Sequence, residues 1–223
     1  SQVAAALMMV YAGGVQVEYV GQLPFATPVL PAYLAVPLTV VATVGLINAV
    51  NMTDGADGLA GGQCAATFAM LACAAVYSGN HALLFTIMPM FGALLAFLAF
   101  NVRHAGQRRA RVFLGNAGSM LLGFAVAWEV FRLTQNPAHP VSPVLTLWLF
   151  APPVIDCLVV IARRLRMVKS PLLADRGHVH HLMLDAGFTP NQLLSTLVAV
   201  SLACGLGAGL LLRIDAVTET HLI

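Results

Sequence analysis

Charge is what this sequence has least of. Of 223 residues only 9% are charged, against 59% hydrophobic. A soluble domain carries roughly 25% charged residues, so an ordinary water-soluble globule is excluded and a membrane protein is expected. A signal peptide does not account for the excess, because apolar runs recur to the end of the chain. The formal net charge of +2 is too small for a nucleic-acid surface, and no nucleic-acid partner is expected. Cysteine is sparse. Cys64, Cys73, Cys157 and Cys204 all lie in apolar runs and none forms a C-x-x-C pair. They read as small buried hydrophobes, which excludes a disulfide framework and a thiolate zinc site. Internal repeats and a soluble domain are also missing.

What is present is a series of apolar spans. A bilayer core of about 30 Å takes about 20 residues of helix. Seven spans fit, at about 3–17, 29–47, 59–77, 82–101, 117–133, 143–162 and 191–212. The expected fold is all-α, a polytopic integral membrane bundle of about seven transmembrane helices in the lipid bilayer. Pro37, Pro89, Pro152 and Pro153 fall inside spans, where membrane helices tolerate proline. Gly205 and Gly209 have the spacing of close helix packing.

Orientation follows from the basic residues. Arg103, Arg108, Arg109 and Arg111 follow the fourth span; Arg163, Arg164, Arg166, Lys169 and Arg176 follow the sixth. Two spans separate these loops, so both lie on one side, which the positive-inside rule makes cytoplasmic. Counting back two more spans puts the loop Asn48–Gly62 on that side as well. The sequon Asn51-Met-Thr53 is then out of reach of glycosylation.

Three polar stretches therefore face one side. The first is Asn48-Ala-Val-Asn51-Met-Thr-Asp54-Gly-Ala-Asp57-Gly-Leu-Ala-Gly-Gly62, with two asparagines, two carboxylates and four glycines. Its oxygens and close-approach glycines suit an anion held through a hard cation. A wet turn between helices is the lesser alternative, since Asp and Gly are ordinary turn residues. The second is Arg111-Val-Phe-Leu-Gly115-Asn116-Ala-Gly118-Ser119, opening a helix. It reads as a phosphate cradle, or Ser119 is simply a helix cap. The third is Asp175-Arg176-Gly-His178-Val-His180-His181, ending in Ala186-Gly-Phe188. Its spacing fits no tetrahedral zinc pattern. A solvated basic loop and a phosphate-binding cluster both remain open, the second favoured by Arg forks and titratable His. Two acids sit at depth. Glu129 reaches the outer interface beside Arg132 or is paired; Asp156 lines the same cavity or caps a proline-broken helix.

Together NAVNMTDGADGLAGG, VFLGNAGSMLLGF, the PVID ending at Asp156 and DRGHVHHLMLDAGF resemble the polyprenyl-phosphate N-acetylhexosamine-1-phosphate transferases, over about residues 2–212. The histidine segment looks most like that of the bacterial WecA-type N-acetylglucosamine-1-phosphate transferases. The MraY-type enzymes are similar in the Asp54–Asp57 motif but usually carry a different, triple-histidine segment. The resemblance implies a reaction at the cytoplasmic face of the bacterial inner membrane. Undecaprenyl phosphate attacks a UDP-N-acetylhexosamine, GlcNAc being favoured; UMP leaves and a lipid-diphosphate sugar begins a cell-envelope polysaccharide. It implies Mg²⁺ as cofactor, with Mn²⁺ as the alternative, and pairing into a homodimer. By matching positions, Asn51 and Asn116 are the metal positions. Asp54 sits by the diphosphate, holding the metal or orienting a basic group. Gly55 and Asp57 lie near the uracil and Phe113 stacks on it. Arg176, His178, His180 and His181 bind the diphosphate and position the sugar, and Asn48 supports the loop.

Two departures qualify the likeness. The family normally has aspartate where this chain has Asn116. It also has a paired-aspartate motif on an earlier loop, and this chain has no Asp-Asp pair. The expectation is a piece of a longer single-domain protein, lacking early spans and a final helix. A non-catalytic relative that binds UDP-sugar or lipid phosphate is the alternative. A transporter is disfavoured, because its repeat symmetry is missing.

Overall fold

The computed structural model describes residues 1–21, 29–138, 141–167 and 177–214. Nine helices are found among them: α1 Gln2–Tyr11, α2 Ala32–Thr53, α3 Leu59–Tyr77, α4 His81–Asn101, α5 Gly115–Thr134, α6 Val144–Leu149, α7 Ala151–Arg166, α8 Val179–Asp185 and α9 Pro190–Arg213. Among the described residues there is no extended strand, only isolated bridges. The all-helical membrane fold is thus as expected. Among the described residues four helices, α2, α3, α4 and α9, are long and apolar enough to cross a membrane.

Three expected spans need correction. The first ends at Tyr11, where the chain turns through Gly13 and Gly14, the latter at φ +63°. The sixth is two helices joined at Phe150, since Pro152 and Pro153 cannot continue the hydrogen-bond ladder of the helix before them. The second runs on to Thr53. Asn48 and Asn51 therefore lie on the last turns of α2, not in a loop. Polar residues end this helix without breaking it, because neighbouring groups such as Gln2, Ser119 and the Ala49 carbonyl bond to them.

α2 is central, packing on α5, α1 and α7, while α3 packs on α4, α9 and α5. The α2–α5 seam is close. A Cβ on Gly123 would meet Ile47 Cα at 2.6 Å and Leu46 O at 3.1 Å. Phe68, Leu71, Ile87, Val126 and Leu133 lie in the main core. A smaller cluster of Leu59, Leu193 and Leu197 receives Val179, Met183 and Leu184. It seats the short α8 against α3 and α9. The start of α9 is written in sequence: Thr189 and Gln192 form a capping box and Pro190 opens the helix.

Glu129 does not reach the surface. It is 4% exposed and accepts a 3.0 Å hydrogen bond from Thr86 Oγ1, pairing α4 with α5. Near the same end of the bundle, Gln135 accepts from the backbone N–H groups of Glu18 and Tyr19 at 3.0 and 2.9 Å.

Candidate active site

The described residues of the three polar stretches meet at the other end. Asn51 Nδ2 donates to Ser119 Oγ at 2.8 Å and to Asn116 Oδ1 at 3.3 Å. This joins the end of α2 to the first turn of α5. Ser119 is fully buried and donates back to Gly115 O at 2.9 Å. It is not a cap; the N-cap position is Leu114, and no side chain caps this end. The first-turn N–H groups of α5 thus stay available beside Asn116, which is exposed.

The turn from Asp54 to Gly58 connects α2 to α3. Gly58 has φ +79°, a region that favours glycine. Its N–H donates to Asn101 Oδ1 at 2.7 Å, and Asn101 Nδ2 donates to Val112 O at 2.6 Å. Asp57 Oδ2 accepts from Arg103 Nε at 2.6 Å and from the Ala110 N–H at 3.3 Å. Asn191 Nδ2 in turn donates to Arg103 O at 3.1 Å. Four helix ends are thereby fastened around one turn. Asp54 reaches solvent, yet desolvation by the surrounding protein holds its carboxyl above the usual range.

The histidine segment folds over this turn as α8. A Cβ on Gly55 would overlap Nε2 of His180, so glycine is required there for close approach. His180 stacks on His178 at 5.7 Å with 13° between the rings, and its centroid lies 4.2 Å from that of His181. Burial first, then its two histidine neighbours, push the His180 imidazole down to about 4. It is neutral at physiological pH. His178 Nδ1 lies 2.7 Å from Asp156 Oδ2, and the Val179 N–H donates to Asp156 Oδ1 at 2.8 Å. Of the two sequence readings of Asp156, the structure gives the first: it belongs to this site.

Asn48 lies one turn deeper. It exchanges amide hydrogen bonds with Gln2, the shorter at 2.9 Å, and donates to Val44 O at 2.8 Å. Phe113 is 76% exposed, with its ring face available. Arg176 lies outside the described residues. Sequence reading missed Arg103, which served only to set orientation, and Asn101. The signal for Asn101 was a lone amide closing an apolar span.

A resident Mg²⁺ is not well served by this set. The two metal positions are neutral carboxamides bonded to each other, with a hydroxyl as third neighbour. Mg²⁺ is usually held by one or two carboxylates plus substrate phosphates. Among the described residues, no group of three His, Cys, Asp or Glu could hold a metal.

Beside the site an apolar cleft of about 480 Å³ runs between α2, α5, α6 and α7. Leu38, Val41, Leu46, Phe131, Val154 and Leu158 line it. It reaches from Gln135 at one end to Ala49 and Cys157 at the other. Ala49 is one residue after Asn48, and Cys157 adjoins Asp156.

The sequence profile of glycosyl transferase family 4 matches residues 1–134. The chain belongs to this family. The undecaprenyl-phosphate alpha-N-acetylglucosaminyl 1-phosphate transferase of Escherichia coli K12 is 43% identical over 168 residues, 74% of this chain and 46% of that protein. The protein of that name from Yersinia pestis is 40% identical over 168 residues, with the same coverage. That from Haemophilus influenzae is 35% identical over 203 residues, 91% of this chain and 57% of its own. The chain spans about half the length of the curated relatives it matches. As a family 4 chain, it brings Asn51, Asn116, the Asp54–Gly58 turn and the histidine helix to one end of the bundle.

Proposed function

We propose that the protein containing this chain transfers N-acetylhexosamine-1-phosphate, with GlcNAc-1-phosphate favoured, from a UDP-sugar to undecaprenyl phosphate, releasing UMP. The observation that carries this reading is the junction of two unlike surfaces. Polar groups from α2, α5, α8 and the turn after α2 converge at one end of the bundle. An apolar cleft opens beside them. A lipid phosphate needs both at once, and few other substrates do.

Phosphoryl transfer asks mainly for positioning and for stabilisation of charge on the phosphates. In this reading a stretch of polyprenyl chain lies in the cleft and its phosphate reaches past Ala49 toward Asn51. The uracil stacks on Phe113, near Gly55 and Asp57, with Arg103 holding Asp57 in place. The diphosphate lies by Asp54, the open N–H groups of α5, His181 and Arg176. His180, neutral and packed on Gly55, holds the histidine helix against the turn. Asn51 and Asn116 offer only neutral oxygens, so a Mg²⁺ or Mn²⁺ that neutralised the diphosphate would be held mainly by the phosphates themselves. The site faces the cytoplasm, where UDP-sugars are made, and homodimerisation belongs to the same reading. The product would initiate a cell-envelope polysaccharide.

The neutral amide pair favours one second reading, a relative that binds UDP-sugar or lipid phosphate without turnover. The two separate on the product. Membranes carrying the full-length protein are given UDP-GlcNAc labelled in the sugar, undecaprenyl phosphate and Mg²⁺. Transfer puts label into the lipid extract as a diphosphate-linked sugar by mass. Binding to the membrane protein with an unlabelled lipid fraction supports the non-catalytic relative.

A further inference from the structure

α7 carries two residues that seat the histidine segment, spaced seven apart and thus on one face. Asp156 takes both the His178 ring and the Val179 N–H, at 2.7 and 2.8 Å. Two turns later, the Arg163 guanidinium occupies the space that a Cβ on Gly177 would need. The Asp156 and His178 side chains are only 11% and 7% exposed. A carboxylate only accepts, so His178 must donate through Nδ1. That fixes both its tautomer and the plane of its ring. The fixed ring is the one on which His180 stacks, and His180 is the ring packed on Gly55. A continuous series of contacts thus runs from α7 to the turn after α2.

We infer that Asp156 is a positioning residue for the transfer reaction, locking the His178 tautomer and, through the His178–His180 stack, setting the register of the histidine helix over the Asp54–Gly58 turn. This rests on the proposed transferase reading for its kinetic consequence, not for its structural one. For metal-bound histidines such outer partners are worth about 10- to 100-fold in affinity or activity, and an effect of that order is expected for this pair. A carboxylate that fixes an imidazole tautomer is also a recurrent device of catalytic sites.

The test uses the full-length protein in detergent or nanodiscs, with folded fraction measured by size exclusion. D156A, H178A and the D156A/H178A double variant are compared with I155A. Ile155 is exposed and stands next to Asp156 on α7 without touching the site's hydrogen bonds. D156A and H178A are each expected to lower kcat about 10- to 100-fold. The double variant should be no worse than the worse single, and I155A should match wild type. D156N, which keeps an acceptor oxygen, should recover part of the loss. D156A activity within twofold of wild type, or multiplicative losses in the double variant, would overturn the inference. A second readout stands even if the wild type transfers nothing. With ¹⁵N-labelled histidine, the substrate-free protein should show an Nδ1-protonated ring whose signal disappears in both D156A and H178A. A histidine spectrum unchanged by D156A would overturn the lock independently of the reaction.

Discussion

A neutral amide at position 116 alters what the start of α5 is able to hold. Asn51 and Asn116 face each other at 3.3 Å with no carboxylate between them. Restoring one charge with Asn116→Asp should tighten Mg²⁺ binding by about tenfold, equivalent to ~1.4 kcal/mol, and raise Mg²⁺-dependent turnover of the full-length protein. Turnover that does not change would show that this position does not meet the metal. His180 makes a second prediction at this scale. Its folded value, about 4, lies below the ordinary 6.5. Between these values the unfolded chain binds more protons than the folded one, so stability falls as pH drops from 6.5 toward 4. A melting series over this window should show the loss, and H180Q should flatten it. The sequence made Asn51, Asn116 and the histidines legible as residues of interest. It did not show that His180 is buried and His181 is not, because burial depends on how Gly55 packs against the segment. Asp57 was legible as an acid; its partner Arg103 is 46 residues away and no local pattern joins them.

At the scale of elements, apolar length located α3, α4, α5 and α9 to within a few residues. It failed where polar residues continue a helix, as at Asn48–Thr53 on α2, and where adjacent prolines split one apolar run into α6 and α7. Hydropathy registers composition, while a helix end depends on backbone hydrogen bonds. Helix α8 was hidden because its apolar face is short and its neighbours α3 and α9 supply the rest of the cluster. The α2–α5 seam is the element contact on which the site depends most, since Asn51 rides on one helix and Asn116 on the other. Gly123→Val forces them apart against the backbone of Ile47 and Leu46. It should destabilise the folded protein by about 1–3 kcal/mol and weaken UDP-sugar binding. Both effects can be followed by thermal unfolding with and without nucleotide. A variant with unchanged melting and unchanged nucleotide stabilisation would show that the seam tolerates separation.

For the whole molecule, the sequence placed three polar stretches on one side by counting spans and arginines. The structure brings residues of all three together at one end of the bundle. Splitting the expected sixth span into α6 and α7 leaves Asp156 and the His178 ring together at that end. The cleft beside them was not legible, since it arises from the surfaces of α2, α5, α6 and α7 jointly. Transfer of a phosphosugar onto a lipid phosphate at this end of the bundle, as proposed, has a distinctive by-product. The most direct measurement is the nucleotide released by the full-length protein given UDP-GlcNAc and undecaprenyl phosphate. Cleavage between the two phosphates leaves UMP, whereas simple sugar transfer leaves UDP. UMP is expected in equal amount to lipid product, dependent on both substrates and lost in Asp54→Asn. UDP as the released nucleotide, or no release with either residue 116 asparagine or aspartate in well-folded protein, would contradict it.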